Sequence, residues 1–162
     1  MIISNATPLI AFARIHQLEI LHAVTHAIII PQAVADEISN YSETPSYGSI
    51  DLVQESWITV QHVRSDAQVQ LLLPSLDRGE AEVIALALES HPSLVLLDEL
   101  TGRKVAESLR LPILGSVGIL IRAKQMGRIT QVKPFLDEMV RCGIRYSQRF
   151  ITSILQQIGE MS

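Results

Sequence analysis

Short, almost wholly aliphatic runs set between segments of helical period constrain this chain more than any other feature. Ile2–Ser4, Ala27–Ile30, Leu94–Leu97 and Leu111–Leu114 are each strand-sized and do not alternate apolar with polar residues. A strand with one wet face alternates; a strand without alternation is covered on both faces. Between these runs the apolar residues recur at intervals of three and four, most clearly in EAEVIALALES. That pattern predicts an α/β fold, a parallel sheet with helices on both faces and a helical C-terminal part. Aromatic residues make up only 4% of the chain against 48% hydrophobic, so the core must be built from Ile, Leu, Val and Ala. At 162 residues one domain over 1–162 is expected.

Local signals place the elements. Thr7-Pro8 predicts a helix start, with Thr7 as N-cap and Pro8 at the first helical position. A helix over Gln17–Val24 follows, and Pro31 opens another, PQAVADEIS, with Val34 and Ile38 on its inner face. Ser39–Ser49 reads as a loop, Ile50–Ser56 as a short helix and Ile58–Val63 as a strand. Asp77-Arg78-Gly79-Glu80 has the spacing of a capping box at the head of the clearest helix. Leu100–Leu109 is predicted helical, as is the chain from Val117 onward, punctuated by Gly127, Pro134 and Gly143.

Several classes drop out. A single cysteine, Cys142, makes no internal disulfide or Cys-rich zinc site, so a reducing, cytoplasmic setting is expected. No apolar run approaches the roughly 18 residues that cross a bilayer. The opening MIISNATPLIAF lacks the basic residues of a secretory signal. There is no GxSxG elbow, P-loop or Rossmann glycine fingerprint. His22 and His26 have helical spacing but no third ligand, so zinc is not expected.

The net charge of −4 argues against a chain coated for nucleic acid, yet its distribution is uneven. Residues 1–77 carry two basic and eight acidic side chains; residues 78–162 carry eleven and nine. A polyanion-binding surface beside a carboxylate cluster fits that asymmetry, and so do ordinary solvated helix faces.

In folds of this class ligands gather beyond the carboxyl ends of the strands. Asn5 follows the first strand and Asp98 follows LVLL. Each acid also has a structural role open to it: Asp98 precedes a helix, and Glu80 belongs to the capping box. Glu82 lies two residues further and points away from Glu80. Glu37 stands beside Asp36, and one of the two must face solvent.

Taken together, SNATPLIAFARI, IIIPQAVADEI, LDRGEAEVIALALE and LVLLDELTGRKVAESLRLPILGSVGIL resemble the PIN domain, more closely the VapC-like branch of small prokaryotic PIN proteins. These segments span residues 4–121 with gaps. The resemblance implies a doubly wound parallel sheet and divalent-metal-dependent cleavage of RNA by a ring of acids. It places Glu37, Glu80 and Asp98 on the family's acidic positions and Thr7 on a Ser/Thr that positions the site. Asn5 falls where the family usually has an aspartate. Mg²⁺ or Mn²⁺ is the implied ion, since hard cations take oxygen ligands. An amide oxygen at Asn5 ligates without bringing charge. Weaker metal binding and slow or absent turnover are therefore expected, unless Glu99 or Asp77 makes up the charge.

Arg103 and Lys104, within two helical turns of Asp98, are candidates for a substrate phosphate and equally for solvated surface charges. Gly115–Gly118 (GSVG) is a weaker candidate for a phosphate turn. The resemblance further implies an RNA substrate, a homodimer and, for a toxin, a small antitoxin partner. The alternative is a catalytically silent PIN-fold module that binds RNA or a protein partner.

Overall fold

The computed structural model describes residues 1–42 and 48–161. Five strands form one parallel sheet: β1 (Ile2–Ser4), β2 (Ile28–Ile30), β3 (Ile58–Val60), β4 (Leu94–Leu96) and β5 (Ile113–Leu114), in the order β3-β2-β1-β4-β5. Ile3 lies opposite Ile29 on one side and Val95 on the other. β1 and β4 hold the centre, where Ile3, Val95 and Leu96 are fully buried. The runs at β1, β2 and β4 are thus strands covered on both faces, as their composition predicts, while β5 at the sheet edge is only partly buried.

Among the described residues nine helices connect and extend the strands. They are α1 (Ala6–Arg14), α2 (Leu18–Thr25), α3 (Gln32–Ser42), α4 (Asp66–Leu72), α5 (Arg78–Ser90), α6 (Leu100–Ser108), α7 (Ser116–Gln125), α8 (Lys133–Arg141) and α9 (Gln148–Gln157). Crossovers run outward from β1 to β3, then return to β4 and continue to β5. With right-handed connections, that reversal puts helices on both faces of the sheet. α5 is buried from Gly79 to Ala87 without a break; its alanines let neighbours approach from every side.

The helix ends follow local chemistry. Asp77 and Glu80 close the anticipated capping box, with Glu80 N–H donating to Asp77 Oδ1 at 2.8 Å and Asp77 N–H to Glu80 Oε1 at 3.3 Å. His16, His26 and His91 adopt positive φ (55°, 64° and 50°) at or just past the ends of α1, α2 and α5. Histidine tolerates that region better than most residues. His22 stacks on Trp57, with centroids 4.6 Å apart. These histidines turn or cover the chain.

Some expectations need correction. α1 begins at Ala6 with Asn5 as its N-cap, so Thr7 and Pro8 lie inside the first turn. Residues 50–56 are turns rather than a helix: Asp51 Oδ1 accepts from Val53 N–H, and Trp57 Nε1–H donates to Glu55. Such side-chain bonds to nearby groups compete with the helical ladder. α4 was not expected, because only Val69 of its apolar residues is buried. Its start is fixed by Ser65 Oγ, which accepts from Gln68 N–H. Of the loop expected over 39–49, residues 39–42 continue α3, and 43–47 lie outside the described residues.

The C-terminal helices form their own small core, with Val117, Leu136, Ile151 and Leu155 packed together. Glu160 fastens it. Its carboxylate accepts from Val132 N–H, Lys133 N–H and Lys124 Nζ, all within 2.9 Å.

Candidate functional site

Because β1 is flanked by β2 and β4, the chain leaves these central strands in opposite directions, which opens a crevice beyond their carboxyl ends. Asn5 is the first residue past β1, and Asp98 and Glu99 follow β4. Asn5 is 3% exposed, and its N–H donates to Leu96 O at 3.0 Å, tying the exits of the two strands together. It occupies the N-cap of α1, yet its side chain makes no capping bond.

Two glycines measure how tightly the oxygens crowd this crevice. A methyl group at Gly79 would stand 3.4 Å from Asn5 Oδ1, 3.6 Å from Asp77 Oδ1 and 3.7 Å from Glu37 Oε1. Three separate elements thus deliver oxygens to one spot. At Gly102 in α6 a methyl group would come within 2.6 Å of Glu80 Oε2. Only a residue without Cβ lets α6 lie so close to that carboxylate. Asp77, Glu80 and Glu99 each offer an oxygen such that all lie within 4.8 Å of one another.

The electrostatics follow from this crowding. Burial, then the charges of Asp77 and Glu99, push the Glu80 carboxyl up to about 7, against the N–H bond from the capping box that lowers it. Partial burial and the same two charges raise Glu37. Like charges held together in a crevice disfavour ionisation. Glu80 Oε2 is buried and has no hydrogen-bond partner. A carboxylate oxygen in that condition is costly unless a cation or a proton satisfies it. The donor set, all oxygen and mostly anionic, fits a hard divalent cation such as Mg²⁺ or Mn²⁺. A cleft of about 650 Å³ opens beside it, lined by Glu37, Asp77 and Gly79 with Asp36, His62 and Arg78.

Asp98 stands apart from this arrangement. Ser116 donates to it twice, through its N–H to Oδ1 at 2.7 Å and through its hydroxyl to Oδ2 at 2.5 Å. Burial raises its carboxyl, offset by these bonds and by the Arg103 charge. The side chain that reaches the acids from the β4–α6 turn is its neighbour, Glu99. Successive residues leaving a strand point in opposite directions, so only one of the pair faces the crevice. From sequence Asp77 reads as a helix cap, and Asp77 and Glu99 alike as residues able to make up charge. Their signal was adjacency to Glu80 and Asp98.

The remaining candidates are placed as follows. Thr7 is half-buried in the first turn of α1. Arg103 donates to Leu97 O at 3.1 Å, and Lys104 is exposed. The turn at Gly115 caps α7, and the N–H of Ser116 is already taken by Asp98. Glu82 does not join the group around Glu80 but lines the same cleft as Glu37 and Asp77; it accepts from Ala33 N–H and pairs with Arg78, binding α5 to the start of α3. Among the described residues no helix is long and apolar enough to cross a membrane.

A family model described as a PIN domain matches residues 1–160 of the chain. No curated protein matches it.

Proposed function

The chain belongs to the PIN-domain family, and on that premise we propose that it is a metal-dependent endoribonuclease acting at the crevice between β1 and β4. The observation that carries this reading is the gathering of oxygens beyond the strand ends: Asp77, Glu80 and Glu99 offer neighbouring carboxylates, Glu80 Oε2 is buried without a hydrogen-bond partner, and Asn5 and Glu37 bring theirs to the same side of Gly79 as Asp77.

Asp77, Glu80 and Glu99 would hold the ion, with Glu37 and the neutral oxygen of Asn5 completing the ring. When bound, a divalent cation supplies an acidified water and offsets charge on the departing oxygen of a phosphodiester. The protein's own part is to keep the carboxylates in place: the capping box fixes Asp77 against Glu80, and Gly102 admits α6 so that Glu99 arrives opposite. Asp98 serves by holding the β4–α6 turn through Ser116. Glu37, exposed to the cleft and shifted upward, is the group best suited to exchange a proton with solvent. Arg103 and Lys104 offer positive charge on α6 to a strand crossing it, and Thr7 orients the rim of α1.

Asn5 in place of an acid favours a second reading, a PIN-fold module that binds RNA or a protein without cutting. Cleavage of mixed RNAs in Mn²⁺, abolished by Asp77→Asn and by Glu80→Gln, supports the enzyme. No cleavage at any metal concentration, with RNA binding retained, supports the module. A role as the cytoplasmic toxin of a toxin–antitoxin pair predicts that induced expression arrests growth and that the neighbouring reading frame encodes a small partner reversing the arrest.

A further inference from the structure

A second cavity, of about 700 Å³, opens on the other side of the β4–α6 turn. Glu99 faces the acids, while Asp98 and Leu100, on either side of it, line this cavity. Its floor is aliphatic, from Val117, Ile121 and Ile154, and its wall carries Tyr146 and Phe150. The two rings meet at a tilt of 31° with centroids 5.7 Å apart. Leu100 is 67% exposed and Phe150 39%, so apolar side chains stand in water at the rim. Arg103 and Arg145 complete the lining. Neither forms an ion pair among the described residues, and Arg103 spends its one hydrogen bond on Leu97 O. The one acid in the lining, Asp98, has both oxygens engaged by Ser116.

An apolar slot with aromatic walls, rimmed by two guanidinium groups outside any described ion pair, Arg103 beside the already engaged carboxylate of Asp98, has the chemistry of a nucleotide site. Bases stack on aromatic faces whatever their sequence, and arginines take the phosphates. The segment Arg145-Tyr146-Ser147-Gln148-Arg149-Phe150 interleaves both residue types. We infer that this cavity seats one unpaired base of a single-stranded RNA against Phe150 and Tyr146, with Arg103 and Arg145 on the flanking phosphates. The inference rests on the nucleic-acid reading above and adds to it how a strand is held beside the acids. A duplex cannot enter, because its bases are already stacked, so the site selects single strands.

The test is fluorescence anisotropy of a labelled ten-nucleotide single-stranded RNA, and of the same sequence as a duplex, with the intact protein in chelator at low salt. Phe150→Ala should weaken single-strand binding on the order of tenfold while Phe150→Tyr restores it. Arg145→Ala should lower the salt dependence by about 0.7 in log–log slope. Unchanged binding by Phe150→Ala and an unchanged slope by Arg145→Ala, in proteins with wild-type melting curves, overturn the site. A dimer in sedimentation that Phe150→Ala dissociates, with RNA binding unaffected, overturns it in favour of an interface between copies. Cleavage in Mn²⁺ is scored separately. Loss of binding in Phe150→Ala without cleavage by any form keeps the site and sinks the nuclease; cleavage with binding unaltered in the variants does the reverse.

Discussion

Replacing Glu80 by glutamine isolates the electrostatic cost of the acid crevice, since Gln preserves the shape and still accepts the bond from Asp77 N–H at the third helical position. Lifting the carboxyl from 4.5 to about 7 corresponds to a ceiling of about 3 kcal/mol at 1.36 kcal/mol per unit; relaxation of the crevice reduces that to about 1–2 kcal/mol. The sign follows from linkage. Between pH 4.5 and 7 the folded protein keeps a proton that the unfolded chain has released, so Glu80 lowers stability as pH rises through that window and the loss is complete above it. Without metal, Glu80→Gln should therefore melt with wild type near pH 4.5 and about 2–8 °C higher at pH 8. Mn²⁺ should reverse the order. At a hundredfold excess over its dissociation constant a bound ion stabilises wild type by about 2.7 kcal/mol, while the variant gains little. Scanning calorimetry at both pH values, with and without Mn²⁺, reads all four states. A variant that melts below wild type at pH 8 in chelator, or that gains as much from Mn²⁺, refutes the claim that Glu80 is a strained acid awaiting a cation.

Asn5→Asp should tighten Mn²⁺ binding and raise any RNA cleavage rate, read by calorimetric titration and initial rates, because it restores a fourth-element charge to the ring. Gly102→Ala should destabilise by about 1–2 kcal/mol in denaturant melts. An open helical site would gain about 1 kcal/mol from the same change; here the new methyl displaces Glu80 Oε2, 2.6 Å away. Glu160→Ala strands two backbone N–H groups and Lys124, so urea unfolding should show a loss of about 1–3 kcal/mol. Faster amide exchange at Val132 and Lys133 should accompany it.

β1, β2 and β4 were legible because they are buried too completely to alternate, and the half-buried β5 because its short run is almost wholly aliphatic. α5 was legible because its capping box and period agree. α4 escaped because Val69 alone of its apolar residues is fully buried, and the turns at 50–56 escaped because Asp51 and Glu55 bond side chain to nearby groups. The crevice was legible in part. Asn5 stood out as the residue after a strand, and the resemblance to the PIN domain pointed to Glu37 and Glu80, whereas Asp77 looked like a cap and Glu99 like the companion of Asp98. Which of two consecutive acids faces a crevice depends on a half-turn of backbone, and composition carries no trace of it. Ser116, which occupies Asp98, lies 18 residues away, a pairing that only the folded chain reveals.

The position of β1 has a consequence for how the molecule comes into being. Its first strand is an inner strand, and the neighbour that completes it, β4, is made some ninety residues later; Ser93 N–H donates to Met1 O across that span. During synthesis β1, β2 and β3 can assemble early, but one flank of β1 then stays bare and apolar until Leu94–Leu96 emerge. A bare strand flank invites pairing with foreign chains. Fragments that stop short of β4 should precipitate, and a nascent chain stalled there is the form most in need of a chaperone.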